Sequence, residues 1–563
     1  MTANTQRPQT NTVSRFREVL PQVLAMGAAN MVVINLTLAL LLSTLVIAEV
    51  HHSDAELSMD DTLASWFGSL PFFCQPVGSI LSGFVVQWLG RKRSLMLINI
   101  PYFVGYVLIS TAPSITVLFL ANVLLGTTVG FTEAPINSYF GEICQPELRS
   151  ILAGSAAIFY QVGMFVLFVL GSLTTWRVTA GVVAVIPVVT MIMISQVPES
   201  PIWLIAQGRL KDAETSLCWL RGWVDRGAYD RVTTKSAQKR ADDRETKNLL
   251  EEHNMSEYKP SPELNGFLSD NQATKQATSD NAQLPSCEDN TDPTMREVAL
   301  EMKNIAGHDE NQRMISPVDK QITIEKELST EVFTAEVSDG GRKSKFVTMV
   351  KLLVQPETLR PLFLTVSFFS FYGFGGMPSI RPFLVEVIDN FHTPIKGSWS
   401  SVAMAVTGFL GSVVMIGSVN RLGKRSLAMS SVAVCALSCL LLGVYDYLFV
   451  DRATWVPLVL FTVFSFANSI QGQIPWLLVA EAFPFRTRGL AGGMAAASNY
   501  IASFIAAKTF LSTEHSLQMY GSFWFFGVVN CLCFAFLYFL LPETEGKSLE
   551  EIEHLFAGNK DHK

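Results

Sequence analysis

The sequence predicts an all-α integral membrane protein with twelve transmembrane helices, arranged as two six-helix bundles. The 563 residues are 49% hydrophobic and only 16% charged, whereas soluble proteins carry about 25% charged residues. Twelve apolar runs are long enough to cross a bilayer as helices, which takes about 20 residues each. The runs form two groups of six, separated by one long polar segment.

The runs are called spans 1 to 12 in chain order. Spans 1–6 are predicted at 22–48, 64–86, 95–112, 115–140, 151–173 and 178–197. Spans 7–12 are predicted at 360–388, 398–419, 427–449, 455–480, 489–511 and 518–541. The resulting regions are an N-terminal segment, an N-terminal half, a central loop, a C-terminal half and a C-terminal segment, at 1–18, 19–200, 201–358, 359–541 and 542–563. Span 1 is too long for a cleavable signal peptide.

Lys and Arg residues in the short connections predict the orientation. With the N-terminus inside, twelve of them lie on inner segments, and the outer loops hold only Arg177, Lys396 and Arg452. Positive charge concentrates on cytoplasmic loops, so both termini and the central loop are predicted to be cytoplasmic. The end of the bundle that holds the termini is called the inner end, and the opposite one the outer end.

The central loop contains a charged, low-hydrophobicity insert. Residues 221–350 carry 42 of the 91 charged residues of the chain. From about 225 to 345 the composition predicts disorder, and a tolerated insertion is favoured over a regulatory segment with a cytoplasmic partner. Most of the net charge of −7 comes from this insert, so it does not indicate the solute. The acidic balance also argues against nucleic-acid binding.

The two halves share sequence motifs at their inner ends. The basic turn after span 2, Trp88–Leu95, recurs after span 8 as Asn420–Leu427, which indicates an internal repeat. Further motifs follow spans 4, 6, 10 and 12 and include Gly141-Glu142, Pro198-Glu199-Ser200-Pro201, Pro475-Trp476, Glu481-Ala482-Phe483-Pro484 and Pro542-Glu543-Thr544.

On these motifs the chain resembles the sugar porters of the major facilitator superfamily, and is most similar to insect facilitated trehalose transporters. The match covers nearly everything outside 225–345. It implies the major facilitator fold, alternating access, and a cytoplasmic charge network that latches the outward-facing state across the halves. The residues that match this network are Arg91, Glu142, Arg149, Glu199, Arg421, Arg425, Glu481, Arg488 and Glu543, with Glu142/Arg149 and Glu481/Arg488 as the expected sets.

The resemblance also implies a solute cavity between the halves. Its candidate residues are Trp476, Asn499, Tyr372, Gln471, Gln473, Glu133 and Arg381. An indole such as that of Trp476 suits the apolar face of a sugar ring. The chain departs from the family here, because Tyr372–Pro378 replaces the Gln pair and Asn of span 7. The family's amide on span 5 falls on Ala157, that of span 8 on Gly408, and the Glu of span 10 on Asn468.

Two ionisable residues lie within spans, where such groups are rare and usually functional. Glu133 could bind a solute hydroxyl, a cation or a proton. Arg381 could attract an anion, pair with Glu386 or extend to the outer interface. Span 1 has no Asp or Glu between Pro21 and Ala48, which by resemblance favours facilitated diffusion over proton symport.

The function expected from these observations is facilitative transport of a sugar, such as trehalose or a hexose, across the plasma membrane. One alternative is a porter for another polar or charged solute. Another is a sensor that signals through the central loop, which deletion of 230–340 would test. No catalytic residues, cofactor or metal site are expected, so an enzyme is the least favoured class. The pair His51-His52, in an acidic outer loop, is interpreted as solvated.

Overall fold

The computed structural model describes residues 15–54, 57–222, 355–449, 453–483, 487–544, 551 and 555–556. Side chains at 15, 18, 146–153, 480 and 488–489 lie outside this description, although their backbone is helical. The predicted insert at 225–345 also lies outside it, and its disorder stays a prediction. Throughout the described residues the chain is almost entirely helical.

Within its described residues the N-terminal half contains nine helices, because spans 3, 4 and 6 are each divided once. Span 1 is Arg15–Val50, span 2 is Asp61–Leu89, and span 5 is Pro146–Leu173. The divided spans are Arg91–Leu97 with Asn99–Ser110, Ile115–Phe131 with Glu133–Ile143, and Trp176–Val183 with Val185–Ser195. Two short helices, Pro201–Ala206 and Leu210–Leu220, follow at the inner end.

The C-terminal half begins with a broken span 7, made of Pro356–Phe374, Met377–Ile380, a 3-10 turn Arg381–Phe383 and Leu384–Asn390. Spans 8, 9 and 10 are the helices Gly397–Leu422, Lys424–Leu448 and Trp455–Glu481. Spans 11 and 12 form one helical stretch, Arg488–Leu540, with a non-helical break at Gln518. All twelve predicted ranges therefore fall on helices, and ten described helices are long and apolar enough to cross a membrane.

The breaks follow from local sequence. In span 7, Gly376 adopts a φ of 117°, which favours glycine, and Pro378 follows without an amide hydrogen. In span 4, Pro135 cannot donate to Phe131, so the helix is interrupted at Thr132. A continuous helix of 53 residues would measure about 80 Å, far more than a bilayer core of about 30 Å, and the break at Gln518 divides it.

Glycines allow spans 2 and 4 to pack backbone against backbone. A Cβ added at Gly130 would lie 1.9 Å from the carbonyl oxygen of Gln75, and one added at Gly78 would lie 1.9 Å from that of Thr127. Small residues permit such close approach between transmembrane helices, where dispersion contacts replace the hydrophobic effect as the driving force. The N-terminal half is thus a tightly packed unit.

The two halves meet chiefly through span 2 against span 11 and span 5 against span 8. The outer part of span 1 also contacts span 7 at its break. These surfaces bring polar residues of the two halves together at two levels, the outer end and the interface between spans 5 and 8.

Candidate functional site

At the inner end of the N-terminal half, charged residues form a compact network. Arg91 Nη2 lies 2.7 Å from Glu142 Oε1, and Arg91 Nε lies 3.0 Å from the same oxygen. Glu199 Oε1 accepts hydrogen bonds from the backbone amides of Arg91, at 3.0 Å, and Lys92, at 2.8 Å. A carboxylate is stabilised at a helix N-terminus, because the free amides there carry partial positive charge. The hydroxyl of Ser200 donates to the second oxygen of Glu142.

The C-terminal half repeats this arrangement. Glu543 accepts from the amides of Lys424 and Arg425, both at 3.1 Å, and Lys424 Nζ lies 2.6 Å from Glu481 Oε2. Gly423 precedes this helix with a φ of 78°, as Gly90 does in the other half with a φ of 93°. Both turns need glycine, because a Cβ would also collide with the capping carboxylate.

Each of these described ion pairs lies within one half, whereas the resemblance implies a network that closes across the halves. Glu142 contacts Arg91, and Glu481 contacts Lys424. The side chains of Arg149 and Arg488, their expected partners, lie outside the described residues. Arg421 is exposed, and Arg425 donates to the carbonyl oxygen of Tyr538 at 2.8 Å. Glu142 and Glu481 each pair with the basic residue that begins the capped helix of their own half.

At the outer end, several described polar contacts join the two halves. This set of residues is called the outer seam: His51, Asp61 and Ser65 of the N-terminal half, with Glu386, Lys508 and His515 of the C-terminal half. His51 Nδ1 lies 3.1 Å from Glu386 Oε1, and His515 Nε2 lies 2.8 Å from Asp61 Oδ2. Ser65 Oγ donates to the carbonyl oxygen of Lys508 at 2.6 Å. The halves are therefore in contact at their outer ends.

The imidazole of His51 is not solvated, which corrects the sequence interpretation. Its side chain is 9% exposed, and it contacts Glu386 on one side and Asp61 on the other. The hydrogen bond that the imidazole donates to Glu386 raises the pKa of His51 above its ordinary value. Only His52 keeps the expected exposure, with 66% of its side chain accessible.

Four cavity candidates lie on spans 7 and 10 of the C-terminal half. Trp476 packs edge-on against Phe369, with ring centroids 4.9 Å apart, and is partly exposed. Gln473 Nε2 donates to Ser412 Oγ at 3.0 Å. Gln471 is buried and donates to Asn530 at 3.3 Å. The hydroxyl end of Tyr372 lies against Gly472, where a Cβ would come within 2.8 Å of it.

Arg381 faces inward, toward the interface between the halves. Its guanidinium is hydrogen-bonded to Tyr372 and interacts with Tyr160 of span 5. Its backbone carbonyl oxygen accepts from Thr44 of span 1 at 2.8 Å. Glu386 forms its ion pair with His51. The side chain of Arg381 therefore neither pairs with Glu386 nor extends to the outer interface.

Four amide oxygens are buried without a partner among the described residues, three in the N-terminal half and one in the C-terminal half. They are Oδ1 of Asn30 and Asn35 on span 1, Oε1 of Gln161 on span 5 and Oδ1 of Asn499 on span 11. Gln161 lies at the contact of spans 5 and 8, because a Cβ added at Gly408 would lie 2.5 Å from its Nε2. Buried acceptors are normally hydrogen-bonded, and an unpaired one costs about 1–3 kcal/mol.

Glu133 lies between spans 2 and 4 of the N-terminal half. Ser79 Oγ donates to its Oε2 at 3.0 Å. The interruption of span 4 at Thr132 places Glu133 at the start of the second helix of this span. Its hydrogen bond therefore stays within one half.

The motifs, the two halves and the repeated charge networks agree with the comparison to known proteins. Residues 29–267 and 306–556 match the family described as sugar (and other) transporters. The chain belongs to this transporter family. The transporter is 24% identical over 508 residues to a facilitated trehalose transporter of Apis mellifera ligustica, covering 89% of this chain and 81% of that protein.

Two further relatives carry the same description. The protein of Polypedilum vanderplanki is 25% identical over 569 residues, covering 98% of this chain and 90% of its own length. The protein of Drosophila yakuba is 25% identical over 503 residues, but the transporter spans only 47% of its length. The sequence kinship is thus distant and extends over nearly the whole chain.

Solved structures confirm the major facilitator fold. The proton:xylose symporter XylE bound to 6-bromo-6-deoxy-D-glucose has a TM-score of 0.59 and 17% identity, covering 96% of this chain and 99% of that one. Inward-open XylE from E. coli has a TM-score of 0.60 and 16% identity, covering 95% and 99%. The transporter is therefore a multi-pass membrane protein of this fold.

Sequence reasoning missed three polar residues of these networks. The motifs point to Arg425 and Glu199 rather than to their neighbours Lys424 and Ser200. Gln161 belongs to none of the motifs, although it stands one turn after Ala157 on span 5. The usable signal was an amide inside an apolar run, which is costly unless it is paired.

Proposed function

We propose that this protein is a facilitative transporter of a sugar, trehalose or a hexose, that works by alternating access at the plasma membrane. Its termini and central loop would lie in the cytoplasm. Family membership supports sugar transport, and the shared name of the insect relatives motivates trehalose as the first solute to test. The Lys and Arg distribution supports the orientation.

The unpaired oxygens of Gln161 and Asn499 carry this proposal. Each is an acceptor withdrawn from water, and one belongs to each half. A sugar offers many hydroxyl donors, so its binding would remove the cost of about 1–3 kcal/mol per unpaired group. Trp476 adds a flat apolar surface beside the polar groups of span 10. Both halves can thereby contact the same solute, as alternating access requires.

The absence of Asp and Glu between Pro21 and Ala48 supports uncoupled transport. Glu133 is the carboxylate within a span that would be the candidate for coupling protons to transport. Its described hydrogen bond, however, is with Ser79 of the same half. A group that couples protons to transport should change partners when the halves move. A contact within one rigid half gives no such change.

The proposal is tested by uptake of radiolabelled trehalose, glucose, organic anions and organic cations in oocytes that express the full chain. We expect saturable sugar uptake that ends at equal internal and external concentrations. Water-injected oocytes set the background, and the variant Trp476→Ala should raise the KM for the sugar. Accumulation above the external concentration would refute facilitation, and robust anion uptake without sugar uptake would refute the sugar.

A second candidate function is transport of an anionic solute, favoured by Arg381. Its guanidinium lies inward, and its described partners are the phenols of Tyr372 and Tyr160. Under this alternative, Arg381→Lys retains anion uptake in part, and Arg381→Gln abolishes it. Unchanged anion uptake in Arg381→Gln would remove the alternative.

A further inference from the structure

Three imidazoles converge on one carboxylate at the outer end of the molecule. Asp61 Oδ1 lies 3.0 Å from His51 Nε2 and 2.8 Å from His52 Nε2. Its other oxygen, Oδ2, lies 2.8 Å from His515 Nε2. The ligand atoms of His51, His52 and Asp61 all lie within 4.8 Å of one another. The first two histidines follow span 1, Asp61 begins span 2, and His515 belongs to the other half.

The donor set suits a divalent ion of borderline softness. Imidazole nitrogen and carboxylate oxygen are the ligands that Zn²⁺ takes at about 2.0–2.2 Å, usually in a tetrahedron. Neighbouring ligand atoms of such a tetrahedron are about 3.3–3.4 Å apart, only a few tenths of an ångström more than the present hydrogen-bond distances. A small opening of the cluster therefore makes room for the ion.

The surroundings of His51 resemble the outer shell of a zinc site. Its Nδ1 contacts both carboxylate oxygens of Glu386, at 3.1 and 3.2 Å, which leaves Nε2 directed at the cluster. A carboxylate on the far nitrogen orients the ring of a metal-bound histidine and makes it a better ligand. The site is also accessible, because 66% of His52 and 70% of His515 is exposed.

We propose that His51, His52 and Asp61 bind a zinc ion from the outer side, with His515 of the C-terminal half as its fourth ligand. The ion would then link the two halves at the outer seam. Because the outer ends must separate for a solute to enter from that side, bound zinc holds the transporter closed. External zinc is thus a reversible inhibitor of uptake.

Binding is tested by titrating ZnCl2 into purified, EDTA-dialysed full-length protein in phosphatidylcholine nanodiscs, followed by calorimetry. We expect one zinc ion per chain for the wild type and no saturable binding for the double variant His51→Gln/His52→Asn. His392→Asn is the matched control, because His392 is exposed and shares with His52 a φ of 50°. Thermal unfolding without zinc verifies that each variant is folded.

The variant Glu386→Gln refines the test, since it keeps every proposed ligand. Loss of such an outer partner weakens metal affinity by about 10–100-fold. Binding that is equal in the wild type and the folded double variant would overturn the site, as would a wild type that binds no zinc. These measurements need no sugar, so a failure of the proposed transport function leaves them interpretable.

Inhibition is tested by adding ZnCl2 outside oocytes during uptake of whichever solute the protein carries. The variant His515→Gln keeps the three ligands of the N-terminal half but loses the one that reaches across. We expect it to bind zinc in nanodiscs and to lose most of the inhibition. Full inhibition of His515→Gln would refute the link between the halves.

Discussion

Three glycines on span 8 differ in the space around them and so provide a graded test of the candidate site. A Cβ added at Gly408 would lie 2.5 Å from Gln161 Nε2, whereas ordinary Cβ contacts begin at 3.4 Å. In Gly408→Ala the Gln161 amide must therefore move by about 0.9 Å, the difference between these distances. This amide ends a flexible side chain, so the displacement costs about 0.5–1.5 kcal/mol as an off-rotamer torsion. The variant should fold.

The expected effect of Gly408→Ala is on solute binding. If Gln161 accepts a hydrogen bond from the sugar, its displacement loses about 0.5–1.5 kcal/mol. This corresponds to a KM that is about 2- to 13-fold higher, because 1.36 kcal/mol is a factor of ten. The assay is concentration-dependent trehalose and glucose uptake in oocytes, normalised to the amount of transporter at the surface.

The same helix supplies both controls. Gly417 has nothing within 4 Å of an added Cβ, so Gly417→Ala should match the wild type in KM and thermal unfolding. At Gly411 a Cβ would lie 2.5 Å from the backbone oxygen of Phe466, which cannot yield without moving span 10. Gly411→Ala should lose stability toward the upper end of the 1–3 kcal/mol typical of overpacking, or about 3 kcal/mol. A KM in Gly408→Ala equal to that of Gly417→Ala would refute the placement of Gln161 in the site.

Three further predictions concern stability and coupling. In a double-mutant cycle of Lys424→Met and Glu481→Gln, thermal unfolding should reveal a coupling free energy of about 0.5–3 kcal/mol between the two residues, because their ion pair of 2.6 Å is largely buried. Additive changes in the free energy of unfolding would contradict this prediction. Gly130→Ala should unfold at a lower temperature than its control Gly141→Ala, whose added Cβ meets nothing within 4 Å, and equal stability would show that spans 2 and 4 are not in backbone contact. Glu133→Gln should keep the pH profile of uptake, because a facilitative transporter carries no proton; a flattened profile would indicate coupling.

The described contacts of the inner charge networks lie within each half, and their role as a latch across the halves stays a prediction. Arg91–Glu142 and Lys424–Glu481 join helices of one bundle, and Glu199 and Glu543 cap the helices that follow the glycine turns. In the described residues they therefore stabilise each half as a unit. At the outer end, His51–Glu386 and His515–Asp61 cross between the halves. The structure accordingly describes the transporter with its outer ends in contact.

Much of the fold could be predicted from the sequence, because transmembrane helices are encoded locally. A run of about 20 apolar residues specifies a crossing whatever its neighbours are. The interruption of span 7 was not predicted, although Gly375-Gly376-Met377-Pro378 disfavours a continuous helix. The candidate site was less predictable. The sequence left three alternatives open for Arg381, and it did not indicate the contacts of its guanidinium with Tyr160 and Tyr372.

The sequence by itself determined the spans, the two-half repeat and the family, because hydropathy and short motifs are properties of contiguous residues. Tertiary structure alone decided which polar side chains contact each other. Asp61 and His515 are 454 positions apart, and no periodicity relates them; they meet because span 2 packs against span 11. For the same reason His51, interpreted as one of a solvated pair, became a nearly buried group between two carboxylates. Side-chain chemistry in this protein is set by which helix ends the packing brings together, and that information is not local.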